Sequence, residues 1–306
     1  MLDTMAIIDV QNLRKRYGEK VAVDDVSFSV EQGEIFSILG PNGAGKTTTV
    51  ESLSGMRVPD AGTIRVAGLD PRTDRTELRR KMGVQLQESR VPERLKVGEV
   101  LDLFASFYPT SADTGALLEN LGLAHQRETQ YRKLSGGQKQ RLSIALALVG
   151  RPRIAVLDEL TTGLDPQARR DTWSLVEGIR DSGVTIVLVT HFMDEAERLS
   201  DRLAVIDGGR IVALDSPAGL IGQASPDQQV RFRVPTELDD RLLDNLAEVR
   251  SVHRTGTQVV VTGQGNLLQT VTSALAREGV VAEELRMEQS SLDDAFVTLT
   301  GRKLDS

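Results

Sequence analysis

No cysteine occurs among the 306 residues. That excludes a disulfide framework and any thiolate metal site, and it fits a reducing compartment. Positive charge is not in surplus either: 37 Lys and Arg face 44 Asp and Glu, for a formal net charge of −7. A general nucleic-acid binder carries a basic excess or stripe, so nucleic acid is not expected as a partner. Long apolar runs are also missing. The candidates "IALALV" (144–149) and "TIVLV" (185–189) fall well short of the roughly 20 apolar residues that cross a bilayer. The first stretch, "MLDTMAIIDVQNLRKRYG", contains Asp3 and Asp9 and has no apolar leader core, so no secretory signal is expected. If the chain serves a membrane process, a partner must supply the membrane part.

Strand-like and helical patterns alternate from residue 6 to about 215, which is the signature of an α/β fold. The expected strands are "AIIDV", "VSFSV", "EIFSIL", "TIRVAG", "IAVLD", "TIVLVT" and "RLAVIDGGRIVAL". The later ones are continuous apolar runs, as parallel strands buried on both faces require. Segment 88–150 is mostly helical in pattern and reads as an inserted helical subdomain. The Ser-, Pro- and Gly-rich "DSPAGLIGQASPDQ" (215–228) reads as a linker, which places domains at 1–222 and 223–306. Beyond it, "QVRFRV", "TELDDRLLDNL", "VRSVHR", "QVVVT", "NLLQTVTSALAREG" and "VVAEELRM" give the order βαββαβ, a small α+β ferredoxin-like domain.

Two stretches carry phosphate chemistry. "EIFSILGPNGAGKTTTVESL" satisfies G-x-x-x-x-G-K-[ST] with Gly40, Gly45, Lys46 and Thr47, entered by a strand and left by a helix. In that setting the loop of Gly40, Pro41, Asn42, Gly43, Ala44 and Gly45 wraps phosphates with the backbone N–H groups of its non-proline residues. Lys46 reaches the β- and γ-phosphates, the Thr47 hydroxyl ligates Mg²⁺, and Thr48 adds a phosphate contact. "RIAVLDEL" (153–160) ends a strand on two carboxylates: Asp158 to hold Mg²⁺ through water and Glu159 to act as general base. The second stretch, "RKLSGGQKQR" (132–141), reads as a helix start, with Ser135 as cap and two glycines exposing backbone N–H groups. Such an end attracts anions. A chain with one nucleotide cradle thus carries a second anion-attracting site.

In order, "GPNGAGKTT", "QLQE", "LSGGQKQR", "VLDELTTGLDP" and "VTHFMDEAE" span nearly all of residues 6–215, and together they resemble the ATP-binding cassette (ABC) transporter ATPases. The resemblance implies a P-loop NTPase cassette made of a RecA-like core, an antiparallel β subdomain and a helical subdomain, using ATP and Mg²⁺. It implies that Tyr17 stacks on adenine. Gln87, with Gln85 as the rival assignment, would contact Mg²⁺ and link ATP to a transmembrane partner. His191 would sense the γ-phosphate and Asp165 would communicate across a dimer. Ser135, Gly136, Gly137 and Gln138 would meet the ATP held by a second copy, in a head-to-tail sandwich. Leu160 stands where the family usually has proline, which would relax the geometry imposed on Glu159. His125 and His253 have no such context and read as surface or structural residues.

"SSLDDAFVTLTGRKL" (290–304) and "VQLQESRVPERLKVGEVLDLFASFY" (84–108) resemble the drug-resistance exporters of this family. That resemblance implies a separate six-helix permease of the type-2 export class. It also implies a position on the cytoplasmic face of the membrane and efflux of drugs or antibiotics, with a lipid or glycan as the alternative cargo. Leu292, Phe296 and Leu299 also form one apolar helix face, which must pack somewhere. An importer subunit, a soluble translation or repair ATPase and a non-hydrolysing module are the competing readings. The single "GKTT", the lack of a heptad insertion, and the intact Glu159 and His191 weigh against the last two.

Overall fold

Three strands of alternating burial make the first sheet: β1 (Ile8–Tyr17), β2 (Lys20–Val30) and, after strand β3 (Ile35–Leu39), β4 (Ala61–Val66). The sheet is antiparallel in the order β2-β1-β4. A second sheet takes β3 with β5 (Met82–Gln85), β6 (Ile154–Asp158), β7 (Thr185–Thr190), β8 (Arg202–Asp207) and β9 (Arg210–Asp215), in the order β5-β6-β7-β3-β8-β9. All its pairs are parallel except the β8–β9 hairpin. This computed structural model describes residues 6–85, 91–224, 227–234, 241–288 and 290–301.

Every residue of β3, β6 and β7 is buried. Because successive side chains point to opposite faces, each strand feeds two cores. Phe36, Ile38, Ile154, Val156, Val187 and Val189 join the antiparallel sheet's Ile8, Val10, Leu13 and Phe28 on one side. Ile35, Ala155, Leu157, Ile186 and Leu188 join Val97, Leu101, Leu118 and Leu142 of the helical segment on the other. Within that segment lie helices Val97–Ala105, Thr114–Asn120 and Gly136–Leu148. The sheet is thus clamped from both sides, and the C-terminal ends of β3, β6 and β7 open at one edge, where ligands of parallel α/β sheets bind.

The chain divides into two units, one ending at Pro217 and one starting at Ala218. The linker expected at 215–228 is instead largely helical: Pro217–Ala224 forms a helix with Leu220 fully buried. Proline at the first helical position is preorganised for that role, and one buried leucine anchors the turn.

In the second unit, β10 (Gln228–Arg233), β11 (Val249–Thr255), β12 (Gln258–Gly263) and β13 (Glu283–Glu288) form an antiparallel sheet in the order β11-β12-β10-β13. Val230, Phe232, Val259 and Val261 alternate inward against Leu267, Val271 and Leu275 of helix Leu267–Arg277. Of the helix expected at "TELDDRLLDNL", Arg241–Asp244 is helical, and 236–240 lie outside the described residues. Helix Leu292–Thr300 opens on a capping box at Ser291 and buries Leu292 and Phe296, while Leu299 stays half-buried.

Candidate active site

The loop after β3 is shaped by glycines that no other residue could replace. A Cβ on Gly40 would lie 2.1 Å from the Ile206 carbonyl oxygen. One on Gly45 would lie 2.4 Å from that of Ala22, and Gly45 also holds φ at 109°. The loop is pinned to the β8–β9 turn by Gly209 N donating to Ala44 O at 3.0 Å. Helix Lys46–Leu53 starts without a side-chain cap and without an acidic residue in its first turn. Its first N–H groups are therefore left for an anion, with the helix dipole favouring one.

Lys46 is 5% exposed, and its Nζ donates to Gly40 O at 2.6 Å and Pro41 O at 3.1 Å. Burial lowers its pKa, against the pull of the Glu159 and Asp158 carboxylates. Asp158, 2% exposed at the end of β6, has its pKa pushed up to about 6, first by burial and then by repulsion from Glu159. Lys46 opposes that shift and Glu51 adds to it. A buried ammonium and a buried carboxylate, both displaced from their ordinary ranges, mark this end of the sheet as built for charge.

Glu159 N donates to Val189 O at 2.9 Å, and its Oε1 lies 3.2 Å from His191 Nδ1. The general-base candidate and the switch-histidine candidate are thus in hydrogen-bonding contact. Glu159 takes the left-handed φ of 50°. A following proline favours extended geometry at the residue before it. Leu160 permits this conformation instead and does not loosen the loop, because its side chain is fully buried in the helical-side core.

A cavity of about 390 Å³ is lined by Tyr17, Lys20, Ala22, Asn42, Gly43, Gly45, Lys46, Thr47, Thr48 and Glu159. Tyr17 is 41% exposed at the end of β1, with the Arg57 guanidinium 5.4 Å from its ring centre. Ser135, Gln138 and Asp165 are not among the residues that line this cavity. Ser135 and Gln138 form a reciprocal capping box, Ser135 N donating to Gln138 Oε1 at 3.0 Å and Gln138 N to Ser135 Oγ at 3.3 Å. Asp165 caps helix Pro166–Asp181, accepting from Gln167 N and Ala168 N at 3.0 and 2.9 Å. Gln87 lies outside the described residues. Gln85 is buried, and its Oε1 accepts from Asp158 N at 3.1 Å, tying the ends of β5 and β6 together. That clamp was not legible in sequence, and neither was buried Glu195, whose Oε1 accepts from Trp173 Nε1 at 3.2 Å. The exposed His125 and His253 fit the surface reading.

A glycine loop, a buried lysine and a strand-end carboxylate, all meeting at the open edge of a parallel sheet, define a P-loop nucleoside-triphosphate-binding protein. The family described as "ABC transporter" matches residues 23–162. The chain is 36% identical over 313 residues to the Nod factor export ATP-binding protein I of Ralstonia nicotianae, with 97% of this chain and 95% of that one covered. It is 38% identical over 308 residues to the protein of that name from Rhizobium sp. (strain N33), covering 97% and 98%. Among solved structures it resembles an ATP-binding subunit of an ABC transporter, with TM-score 0.65, 28% identity, and 71% and 92% of the two chains covered. It also resembles a dimeric ATP-binding cassette in a post-hydrolysis state bound to ADP and Pi, with TM-score 0.62, 26% identity, and 68% and 98% covered. The chain belongs to the ABC transporter family, as its ATP-binding, ATP-hydrolysing subunit.

Proposed function

We propose that this chain powers export of an amphipathic molecule through a separate permease of the type-2 export class, from the cytoplasmic face of the membrane. The observation that carries the reading is coverage: relatives matched over nearly their whole length, second unit included, are named Nod factor export proteins. Nod factor is a lipo-oligosaccharide, so a lipid-bearing glycan is favoured as cargo class over the drugs or antibiotics that the C-terminal motif suggests. The antiparallel strand order of the second unit supports a ferredoxin-like accessory domain, here bounded at about 223–306.

Two copies close head-to-tail around two ATP molecules. In each site one copy contributes Tyr17 against the base, the loop Gly40–Thr48 around the phosphates, Gln87, Asp158, Glu159 and His191. The other contributes Ser135, Gly136, Gly137 and Gln138, with Asp165 nearby. Supporting this, a Cβ on Gly136 or Gly137 would meet nothing closer than 3.8 and 3.5 Å in its own chain. Own-chain packing therefore does not call for glycine there, whereas the close approach of a phosphate does. Among the described residues no cluster of three or more His, Asp or Glu could hold a metal. The donor set of Thr47 and Asp158, with Gln87, suits Mg²⁺ that takes its remaining ligands from water and phosphate oxygens. Bound there, Mg²⁺ would neutralise phosphate charge. Glu159 orients and deprotonates the attacking water, His191 holds Glu159 and meets the γ-phosphate, and Lys46 stabilises the phosphate charge.

A groove of about 650 Å³, whose lining sets Met56, Leu78, Phe104 and Phe107 beside Arg79 and Arg80, receives the permease. Phe107 is 68% exposed there, and exposed apolar surface of this kind marks a docking site. No helix among the described residues is long and apolar enough to span a membrane. The test is reconstitution with a membrane permease that co-purifies with this chain. Stimulation of ATPase by a lipo-oligosaccharide is expected. Stimulation by cationic drugs alone would move the cargo to the drug class, and a requirement for an extracytoplasmic binding protein would overturn export.

A further inference from the structure

Glu195 is a carboxyl with no exposed surface, on helix Met193–Leu199 just after the His191 loop. Trp173 Nε1 donates to its Oε1 at 3.2 Å. The hydroxyls of Thr190 and Thr161 face the same carboxyl, although Glu195 Oε2 and Thr161 Oγ1 complete no hydrogen bond in this geometry. Burial raises the pKa of Glu195, and its hydroxyl and indole neighbours pull the other way. A buried carboxyl is costly, and apolar residues of similar volume would hold a fold at least as well.

Its neighbours sit on the three segments that carry the catalytic end. Thr190 ends β7 and directly precedes His191, and its Oγ1 accepts from Phe192 N at 3.0 Å. Thr161 follows Glu159 and Leu160. Trp173 lies on the helix that Asp165 caps. The same two helices are joined outside by Arg169 to Asp194 at 3.0 Å and Arg198 to Glu177 at 3.4 Å, and the Arg169 guanidinium lies 4.7 Å from the Phe192 ring centre. Such surface pairs contribute little, so the buried tie dominates. None of the groups around Glu195 belongs to the loop 40–48.

We propose that Glu195 is a positioning residue for ATP hydrolysis, its carboxyl tying the helix that follows His191 to the Asp165 helix through Trp173, beside Thr190 and Thr161 of the segments that carry His191 and Glu159. The inference rests on the reading of Glu159 and His191 as the hydrolytic pair. Misplacing such a pair by about 1 Å costs up to roughly 100-fold in rate, while the nucleotide is still held by the loop that Glu195 does not touch.

The test measures kcat and ATP affinity for Glu195→Ala, Glu195→Gln and Trp173→Phe in the full chain. The alanine variant is expected to lose about ten- to a hundredfold in kcat and Trp173→Phe about threefold or more, with ATP affinity within about twofold. Glu195→Gln keeps an acceptor for the indole and donors or acceptors for both hydroxyls, so it retains at least about a third of the activity. If Glu195→Ala does not fold, Trp173→Phe decides. Wild-type kcat in Trp173→Phe, a kcat loss matched by an equal loss of affinity, or a glutamine variant as poor as alanine each overturns the inference. Glu159→Gln is assayed in parallel. If it hydrolyses ATP at the wild-type rate, the reading of the site itself fails; if it is inactive while Trp173→Phe is normal, only the role of Glu195 falls.

Discussion

Asp158 is a carboxylate kept where water cannot reach it, and the folded chain bears a measurable cost for that. Its pKa of about 6 lies above the ordinary 3.8, so the folded state holds this proton more tightly than the unfolded state. The resulting stabilisation is complete below about pH 4 and is lost as the pH rises through about 6. A shift of about two units corresponds to roughly 3 kcal/mol. Asp158→Asn is therefore expected to raise the unfolding midpoint of the nucleotide-free protein near pH 8, with the gap closing toward pH 4, and to abolish hydrolysis. Thermal melts across that range check it. Lys46→Ala removes a buried ammonium bonded to two loop carbonyls and is expected to weaken ATP binding by tenfold or more, read by equilibrium titration. Lys46, Thr47, Asp158 and Glu159 were legible because their motif fixes both residue type and spacing. The clamp from Gln85 to Asp158 and the surroundings of Glu195 were not, because their partners come from strands and helices distant in the chain.

At the scale of elements, the fold was legible wherever burial imposes a period. The continuous apolar runs of β3, β6 and β7 announce strands covered on both faces, and the chain forms them as such. The boundary between the two units falls inside the expected linker, and the helix Pro217–Ala224 within it was not legible because proline at a first turn and a single buried leucine suit a short helix as well as a loop. The start of helix Gly136–Leu148 caps its own helix and is proposed to face a second copy, and two substitutions separate these roles. Ser135→Ala loses the cap and is expected to cost about 1 kcal/mol of stability, seen in denaturant melts. Ser135→Arg instead fills the space facing a second copy, leaving ATP binding by the chain's own cradle nearly intact while abolishing hydrolysis.

For the whole molecule, coupling ATP hydrolysis to export needs two surfaces beyond the cradle: one for the permease and one for a second copy. Phe107→Glu places a negative charge in a groove whose lining mixes apolar side chains with Arg79 and Arg80. It is expected to leave basal ATPase unchanged and remove permease stimulation, as a reconstituted assay would show. The sequence named both partners by resemblance and could not place the groove, since its walls come from segments as far apart as Met56 and Phe107. The shared site is tested most directly by complementation. Lys46→Ala and Ser135→Arg chains are each expected to be inactive alone. Mixed, half of randomly formed dimers pair one of each, and each such dimer has one intact site made of Lys46 from one copy and Ser135 from the other. Recovery toward about a quarter of the wild-type rate is expected. A mixture no more active than the two variants measured separately would contradict it.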